Sequence, residues 1–380
     1  MSEFVPPKRL QGIEKSVIRQ VFDRAKPGSL NLGLGEPDLP TPNVIRDAAV
    51  KVIVEEQNGY TSHAGLPLLR QKIASDYPYL EKNSDRVIVT AGSQEALYLA
   101  LLSLVDEGDE VLLPNPGFVA YPTIVKMAGG TSSFYKMPAA ADFAFDADAF
   151  KRALTPRTKV VVCISPSNPT GRTLSREDLR VIAETLKGHG AYLISDEIYR
   201  DLYYGDERPE SASTFYERTI VISGVSKSLS MTGWRLGWIC GDVDVIRTAL
   251  ILHGYVTTCA SAVSQKAALA AWSNEAELAK ANFRTTFGIR RKHLLSLFED
   301  ELELRAVAPD GAFYTMLDVS QYGPSVQVAN ELLERKVITV PGVAFGSESE
   351  GFLRVSFCAD LEALKEGVHR IKEGLNSIRA

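Results

Sequence analysis

The chain has 380 residues, of which 45% are hydrophobic and 23% charged, the balance of a globular enzyme with one large domain and a smaller companion. A formal charge of −5, with no basic block, argues against nucleic acid or anionic lipid as a partner. The opening MSEFVPPKRL lacks the apolar run of a signal peptide, and stretches such as Tyr98 to Val105 are too short to span a bilayer, so a cytoplasmic protein is expected.

In chain order, Leu32-Gly33-Leu34-Gly35-Glu36-Pro37-Asp38 comes first, then the loop Tyr60-Thr61-Ser62-His63-Ala64-Gly65-Leu66-Pro67. Apolar runs come next at Arg86 to Thr90, Glu110 to Leu113, Lys159 to Ser165, Ala191 to Ser195, Thr219 to Ser223 and Leu236 to Cys240; most read as strands buried on both faces. Helices at Ser93 to Val105 and Glu177 to Lys187 lie between them, and this alternation predicts a mainly parallel, doubly covered sheet. Ser175 with Asp178 makes a capping-box pattern at the second helix, and Gly188 and Gly190 are expected past its end.

After Asn274 the pattern changes to a long helix, Glu275 to Leu297, and short strands at Ala312 to Asp318, Val337 to Val340 and Phe352 to Phe357. A helix opened by Asp360 closes the chain, with Leu361, Leu364, Val368, Ile371 and Leu375 as its core-facing stripe. The expected division is residues 1–40 as a segment associated with a small domain, 41–275 as the large domain and 276–380 as the small α+β domain. Cys163, Cys240, Cys259 and Cys358 are far apart and form no Cys-x-x-Cys pair, so reduced core thiols and no metal site are expected.

In an open parallel sheet, ligands bind beyond the carboxyl ends of the strands, so the residues just past each apolar run are the candidates for a site. Thr90-Ala91-Gly92-Ser93-Gln94-Glu95 is a turn of small residues opening a helix, able to offer amides and the positive helix end to an anion, although such turns are often only caps. Pro166-Ser167-Asn168-Pro169-Thr170-Gly171 and Asp196-Glu197-Ile198-Tyr199 place polar side chains at two further strand ends; a plain turn and a solvated acid pair are the alternatives. A last polar run, Ser223-Gly224-Val225-Ser226-Lys227-Ser228, is followed by Met231-Thr232-Gly233-Trp234-Arg235-Leu236-Gly237. A lysine just past a buried strand is hard to explain as surface charge, and partial desolvation would make it a nucleophile toward an aldehyde.

These motifs, in this order, resemble the class I/II aminotransferases of the fold-type I pyridoxal 5′-phosphate (PLP) enzymes, the aspartate aminotransferase superfamily. The resemblance extends to Phe352-Leu353-Arg354-Val355-Ser356-Phe357 near the end. It implies an α/β fold with a seven-stranded, mainly parallel sheet and a smaller α+β domain. It also implies a cytoplasmic homodimer acting on an L-amino acid and a 2-oxo acid by a ping-pong route.

By the same resemblance, Lys227 forms a Schiff base with PLP and moves the proton from Cα, and Asp196 pairs with the pyridinium nitrogen. Asn168 and Tyr199 hydrogen-bond the ring's 3-oxygen, and Phe118 stacks on its face. The phosphate falls to Gly92, Ser93, Gln94, Ser226, Arg235 and Tyr60 of the partner subunit. Arg354 takes the substrate α-carboxylate in a fork, with Gly35 and Asn168 beside it.

Two departures bear on this. Some aspartate-preferring members carry Lys where this chain has Ser93, which argues against that mode of acidic side-chain recognition, and Phe118 replaces a frequent Trp or Tyr. None of the five histidines sits in a catalytic pattern; His189, His293 and His369 are expected at the surface, and Trp234 and Trp238 as packing residues. A C–S β-lyase uses the same cofactor set, but Asn-Pro-Thr-Gly and Asp-Glu-Ile-Tyr look more like the transaminase versions. A PLP-sensing regulator would add a DNA-binding domain, for which the stretch before Leu32 is too short.

Overall fold

The computed structural model describes residues 5–7 and 10–379. Residues 1–4, 8 and 9 of the opening segment and residue 380 of the closing one lie outside them, as does part of the reading made on MSEFVPPKRL.

The chain begins with α1 (Val17–Asp23), β1 (Leu30–Asn31), α2 (Asn43–Glu55) and α3 (Pro67–Ser75). The central stretch runs β2 (Val87–Thr90), α4 (Ser93–Leu104), β3 (Glu110–Asn115), α5 (Ala120–Met127), β4 (Thr131–Lys136), α6 (Ala147–Ala153), β5 (Thr158–Ile164), α7 (Arg176–His189), β6 (Tyr192–Asp196), β7 (Thr219–Gly224) and β8 (Gly237–Cys240). Helices α8 (Val243–Val256), α9 (Ala262–Ala268) and α10 (Asn274–Leu302) lead to β9 (Tyr314–Asp318), α11 (Ser325–Glu334), β10 (Val337–Ile338), β11 (Val340–Pro341), β12 (Phe352–Ser356) and α12 (Leu361–Arg379).

Seven strands form the main sheet in the order β2-β8-β7-β6-β5-β3-β4, parallel except for β8, which runs against both its neighbours. Every residue of β2, β3, β7 and β8 is buried, which is why those strands read as continuous apolar runs rather than alternating ones. The seventh strand, β4, was missing from the apolar runs of the sequence because Thr131–Lys136 sits at the sheet edge and buries only Tyr135 fully. Polar residues are tolerated there because one flank has no neighbouring strand.

Helix α7 begins as its sequence foretells. Ser175 Oγ accepts the Asp178 amide at 3.1 Å while Asp178 Oδ2 accepts the Ser175 amide at 2.8 Å, satisfying two amides that would otherwise face no partner. Its end lies later than expected: Gly188 is inside the helix and only Gly190, left-handed at φ 86°, caps it.

Beyond α10 three expectations need correction. Ala312 is left-handed (φ 56°), so the strand expected from Ala312 starts at Tyr314 instead. The run Val337 to Val340 is split between two sheets: β10 pairs in parallel with β1, whereas β11 pairs antiparallel with β12, which continues to β9. Leu361 is 40% exposed and leaves the stripe of α12, while Leu364, Val368, Ile371 and Leu375 are buried. Of the four cysteines only Cys163 and Cys240 are core thiols; Cys259 and Cys358 are half-buried.

One apolar cluster runs from Ile88, Leu113 and Ile222 of the main sheet to Leu317, Leu353 and Val355 of the smaller one, so the two sheets share a core. The opening segment is held to that far side by the β1–β10 pairing and by Asp38, whose carboxylate receives Arg290 through both Nη1 (2.6 Å) and Nη2 (2.8 Å). Gly33 and Gly35 lie between these two anchors. Among the described residues no helix is long and apolar enough to cross a membrane.

Candidate active site

Six strands of the main sheet deliver the polar motifs to one edge. Parallel strands β3, β5, β6 and β7 end there, and each is followed by its motif: Phe118 after Asn115, Asn168 after Ile164, Tyr199 after Asp196, and Ser226 and Lys227 after Gly224. Because β8 runs the other way, it starts at this edge, which is why Arg235 precedes its strand instead of following it. The edge strand β2 hands over to α4 through Ala91 and Gly92. A cavity of about 260 Å³ opens here, and Gly35, Ser93, Gln94, Phe118, Asn168, Asp196, Tyr199, Ser226, Lys227, Arg235 and Arg354 all line it.

Lys227 is half-buried, and its Nζ donates to the Gly35 carbonyl at 2.7 Å. Burial pushes its ammonium down to about 8. The side chain can therefore reach its nucleophilic, neutral form near physiological pH, which an exposed lysine cannot.

Asp196 and Glu197 are not the solvated pair that the sequence left open; both are buried. Asp196 Oδ2 accepts from Tyr121 Oη at 2.9 Å and Oδ1 from the Ile198 amide at 3.2 Å. Burial dominates these bonds and raises its carboxyl to about 6, so the site favours a cation placed beside it. Glu197 points away from the cavity, where Oε1 accepts from Ser195, Ser211 and the Ala212 amide.

The β2–α4 turn is open to an anion for steric reasons. Gly92 adopts φ 91°, and a Cβ there would meet Arg235 Nη2 at 2.6 Å; a Cβ on Gly237 would meet the Ser93 amide at 2.5 Å. Two side-chain-free positions thus let a guanidinium and the first amides of α4 approach the same space. Arg235 is itself left-handed (φ 51°), a strained backbone that turns its guanidinium toward the Ala91 and Thr232 carbonyls.

Arg354, on β12, is 2% exposed and sandwiched between the rings of Tyr314 and Phe345, with its guanidinium carbon 4.4 and 4.8 Å from their centroids. Nη1 donates to Asn168 Oδ1 at 2.7 Å and Nη2 to the Gly33 carbonyl. The carbonyl on this arginine is therefore that of Gly33, while Gly35 serves Lys227. Nε is buried with no partner, a donor left over for an anion. Tyr199 Oη pairs with Tyr314 Oη at 2.9 Å, so neither it nor Asn168 is an isolated polar group.

Tyr60 stands apart. It is 89% exposed and does not line the cavity of its own chain. Tyr121 and Tyr314 were not among the residues chosen from sequence. Tyr121 lies one helical turn after Phe118, with the rings 5.6 Å apart edge-on, so an i,i+3 reading could have found it. Tyr314 carried no such signal, because only the β9–β12 pairing brings it to Arg354.

A buried acid, a low-pKa lysine and an amide cradle with its arginine, gathered at the carboxyl edge of a parallel sheet, fit a PLP enzyme: one partner each for a pyridinium, an aldehyde and a phosphate. The chain matches aminotransferase class I and II over residues 27–371. It is 36% identical over 375 residues to a probable aspartate aminotransferase of Methanocaldococcus jannaschii, covering 96% of this chain and 98% of that one. It is also 36% identical over 388 residues to an aspartate aminotransferase of Geobacillus stearothermophilus (96% and 97% covered). The structure of a Thermus thermophilus aspartate aminotransferase with maleate superimposes with a TM-score of 0.91 at 32% identity, over 98% of this chain and all of that one. The chain belongs to the class I and II aminotransferases and is a PLP-dependent enzyme that transfers the amino group of an L-amino acid to a 2-oxo acid.

Proposed function

We propose that Lys227 is the residue on which this transamination turns, with Asp196, Asn168, Tyr199, Phe118, Arg235 and Arg354 in supporting roles. The convergence of all of them on one cavity carries the reading. Bound PLP supplies an aldehyde for the lysine or substrate amine and a ring that accepts electrons from the substrate Cα. Lys227 Nζ, neutral above about pH 8, provides the amine and then takes the proton from Cα. Asp196 holds the ring nitrogen's proton, and its own buried charge is relieved by that cation. Asn168 Nδ2 and Tyr199 Oη face the ring oxygen, and Phe118 covers the ring. The Gly92–Gln94 turn, Ser226 and Arg235 hold the phosphate. Arg354 would hold the α-carboxylate, its unpartnered Nε offering a donor, and so would orient the substrate's Cα toward Lys227.

The donor's side chain meets the rest of the cavity. Among the described lining residues the cations are Lys227, Arg235 and Arg354, each already engaged, and Ile18 with Phe118 adds apolar surface. A second carboxylate, as in the aspartate named for the relatives, therefore depends on residues of the partner subunit, whereas a neutral side chain needs none. The deciding experiment mixes the enzyme with single amino acids, aspartate, alanine and phenylalanine first. Stoichiometric conversion of the cofactor to its amine form is expected, and 2-oxo-acid-dependent recovery of the starting spectrum. Catalytic release of pyruvate and ammonia without an acceptor would overturn transamination in favour of β-elimination.

The same reading includes a cytoplasmic homodimer in which Tyr60 reaches the phosphate of the partner subunit, and the division at residues 40 and 275. Supporting the dimer, Tyr60 is exposed, as are Val50, Ile53 and Val54 of α2 and Ile251, Tyr255 and Val256 of α8. His63 of the Tyr60 loop lies against Gly254 of α8, which sets that loop beside the exposed apolar residues of α8. Sedimentation should give twice the chain mass, and Tyr60→Phe should weaken PLP binding about tenfold, the worth of one charge-assisted hydrogen bond. A fully active monomer would refute it.

A further inference from the structure

The turn between β2 and α4 is held from behind by a buried carboxylate to which no role has been given. Glu95, in the first turn of α4, folds its side chain back so that Oε2 accepts the Ala91 amide. Its other oxygen, Oε1, accepts from His253 Nδ1 at 2.9 Å and from Thr257 Oγ1 at 2.6 Å, both delivered by the C-terminal end of α8. His253 is completely buried, unlike the surface histidines expected from sequence, and its side of the pair lies behind the cradle. Burial raises the Glu95 carboxyl, but hydrogen bonds from His253, Thr257 and Ala91 outweigh it and hold it below its ordinary value. An ionised carboxylate can only accept, so the His253 ring carries its proton on Nδ1, and its Nε2 is left without a partner.

A carboxylate at a helix N-terminus is drawn to the same amides as a bound phosphate. Here that competition is removed by geometry. Both oxygens of Glu95 are committed to donors away from the cavity, and the Ala91 peptide is fixed by one of them, so the Ser93 and Gln94 amides remain open beyond Gly92. We infer that Glu95, clamped by His253 and Thr257, is the positioning residue that presets the anion cradle and thereby sets cofactor affinity. The inference rests on the reading of this turn as the phosphate site.

The test measures dissociation constants of PLP and of inorganic phosphate for the apoenzyme, with thermal stability and kcat at saturating cofactor alongside. His253→Leu keeps the buried volume and removes the donor; both constants should rise about tenfold while kcat stays within about twofold. His253→Asn keeps an amide donor near the Nδ1 position and should restore affinity to within about threefold of the parent. Arg235→Ala distinguishes the clamp from the cradle. If it weakens phosphate binding but His253→Leu does not, the positioning inference fails and the cradle assignment stands. If Arg235→Ala changes neither constant, the cradle assignment itself is wrong. Equal losses of affinity in His253→Leu and His253→Asn would reduce His253 to packing. Should His253→Leu not fold, Thr257→Val removes the second donor to the same oxygen and should weaken both ligands about threefold; unchanged binding overturns the inference.

Discussion

Lys227→Ala is expected to leave a folded protein that has lost the absorbance band of lysine-linked cofactor and nearly all turnover, by about four orders of magnitude. The side chain is half-buried and its one hydrogen bond goes to the Gly35 carbonyl, so truncation costs the fold little. The size of the kinetic loss reflects two functions residing in one nitrogen, covalent attachment of the cofactor and proton transfer at Cα. The same nitrogen predicts a pH dependence in the parent enzyme. Since burial lowers its ammonium to about 8, the fraction in the neutral, nucleophilic form rises with pH through that value. Capture of PLP by the apoenzyme should accelerate from about pH 6.5 to about pH 9 with a midpoint near 8, read by stopped-flow absorbance. A rate that climbs only above about pH 10, as for an exposed lysine, or a Lys227→Ala protein that keeps its band and its activity, would remove Lys227 from the centre of the site.

The second large effect belongs to Arg354. Replacing it with lysine keeps the charge but loses the planar fork, the bond to Asn168 and most of the stacking between Tyr314 and Phe345. A buried, hydrogen-bonded charge pair is worth about 2–5 kcal/mol, so kcat/KM for any amino acid should fall by roughly a hundredfold to a thousandfold. Because every amino-acid donor presents the same α-carboxylate, the loss should be nearly uniform across a donor panel, and PLP affinity should change little. A loss confined to one donor would move Arg354 to side-chain recognition. Unchanged kinetics with reduced thermal stability would make it a structural arginine of the β9–β12 sheet.

Much of the site was legible because its motifs come directly after buried strands. In a parallel sheet every strand ends on the same edge, so a polar run after Ile164, after Ile194 or after Gly224 is brought to one place without any knowledge of packing. That logic located Asn168, Asp196, Tyr199 and Lys227. It would have missed Arg235, which lies before its strand, without the family's motif. It could not reach Tyr314, Glu95 with His253, or the exchange of Gly35 for Gly33 at Arg354. Each of these depends on contacts between residues more than a hundred positions apart.

The fold shows the same division. Apolar runs named six strands of the main sheet, because buried strands write themselves as Val- and Ile-rich segments; the edge strand β4 did not, since solvent on one flank releases its composition. The split of residues 337–341 between two sheets was equally invisible, as period-2 patterning marks a strand without naming its partner. The sequence by itself determined the kind of protein, six strands of the main sheet and the polar runs, with Lys227 and Asp196 among them, that meet at its carboxyl edge, all of them local in the chain or placed by a single topological rule. Tertiary structure alone decided how those groups are tuned: the burial that brings Lys227 to about 8 and Asp196 to about 6, the aromatic sandwich on Arg354, and the α8 clamp on the cradle. Those properties are set by dielectric surroundings and by distance, and neither is written in the order of residues.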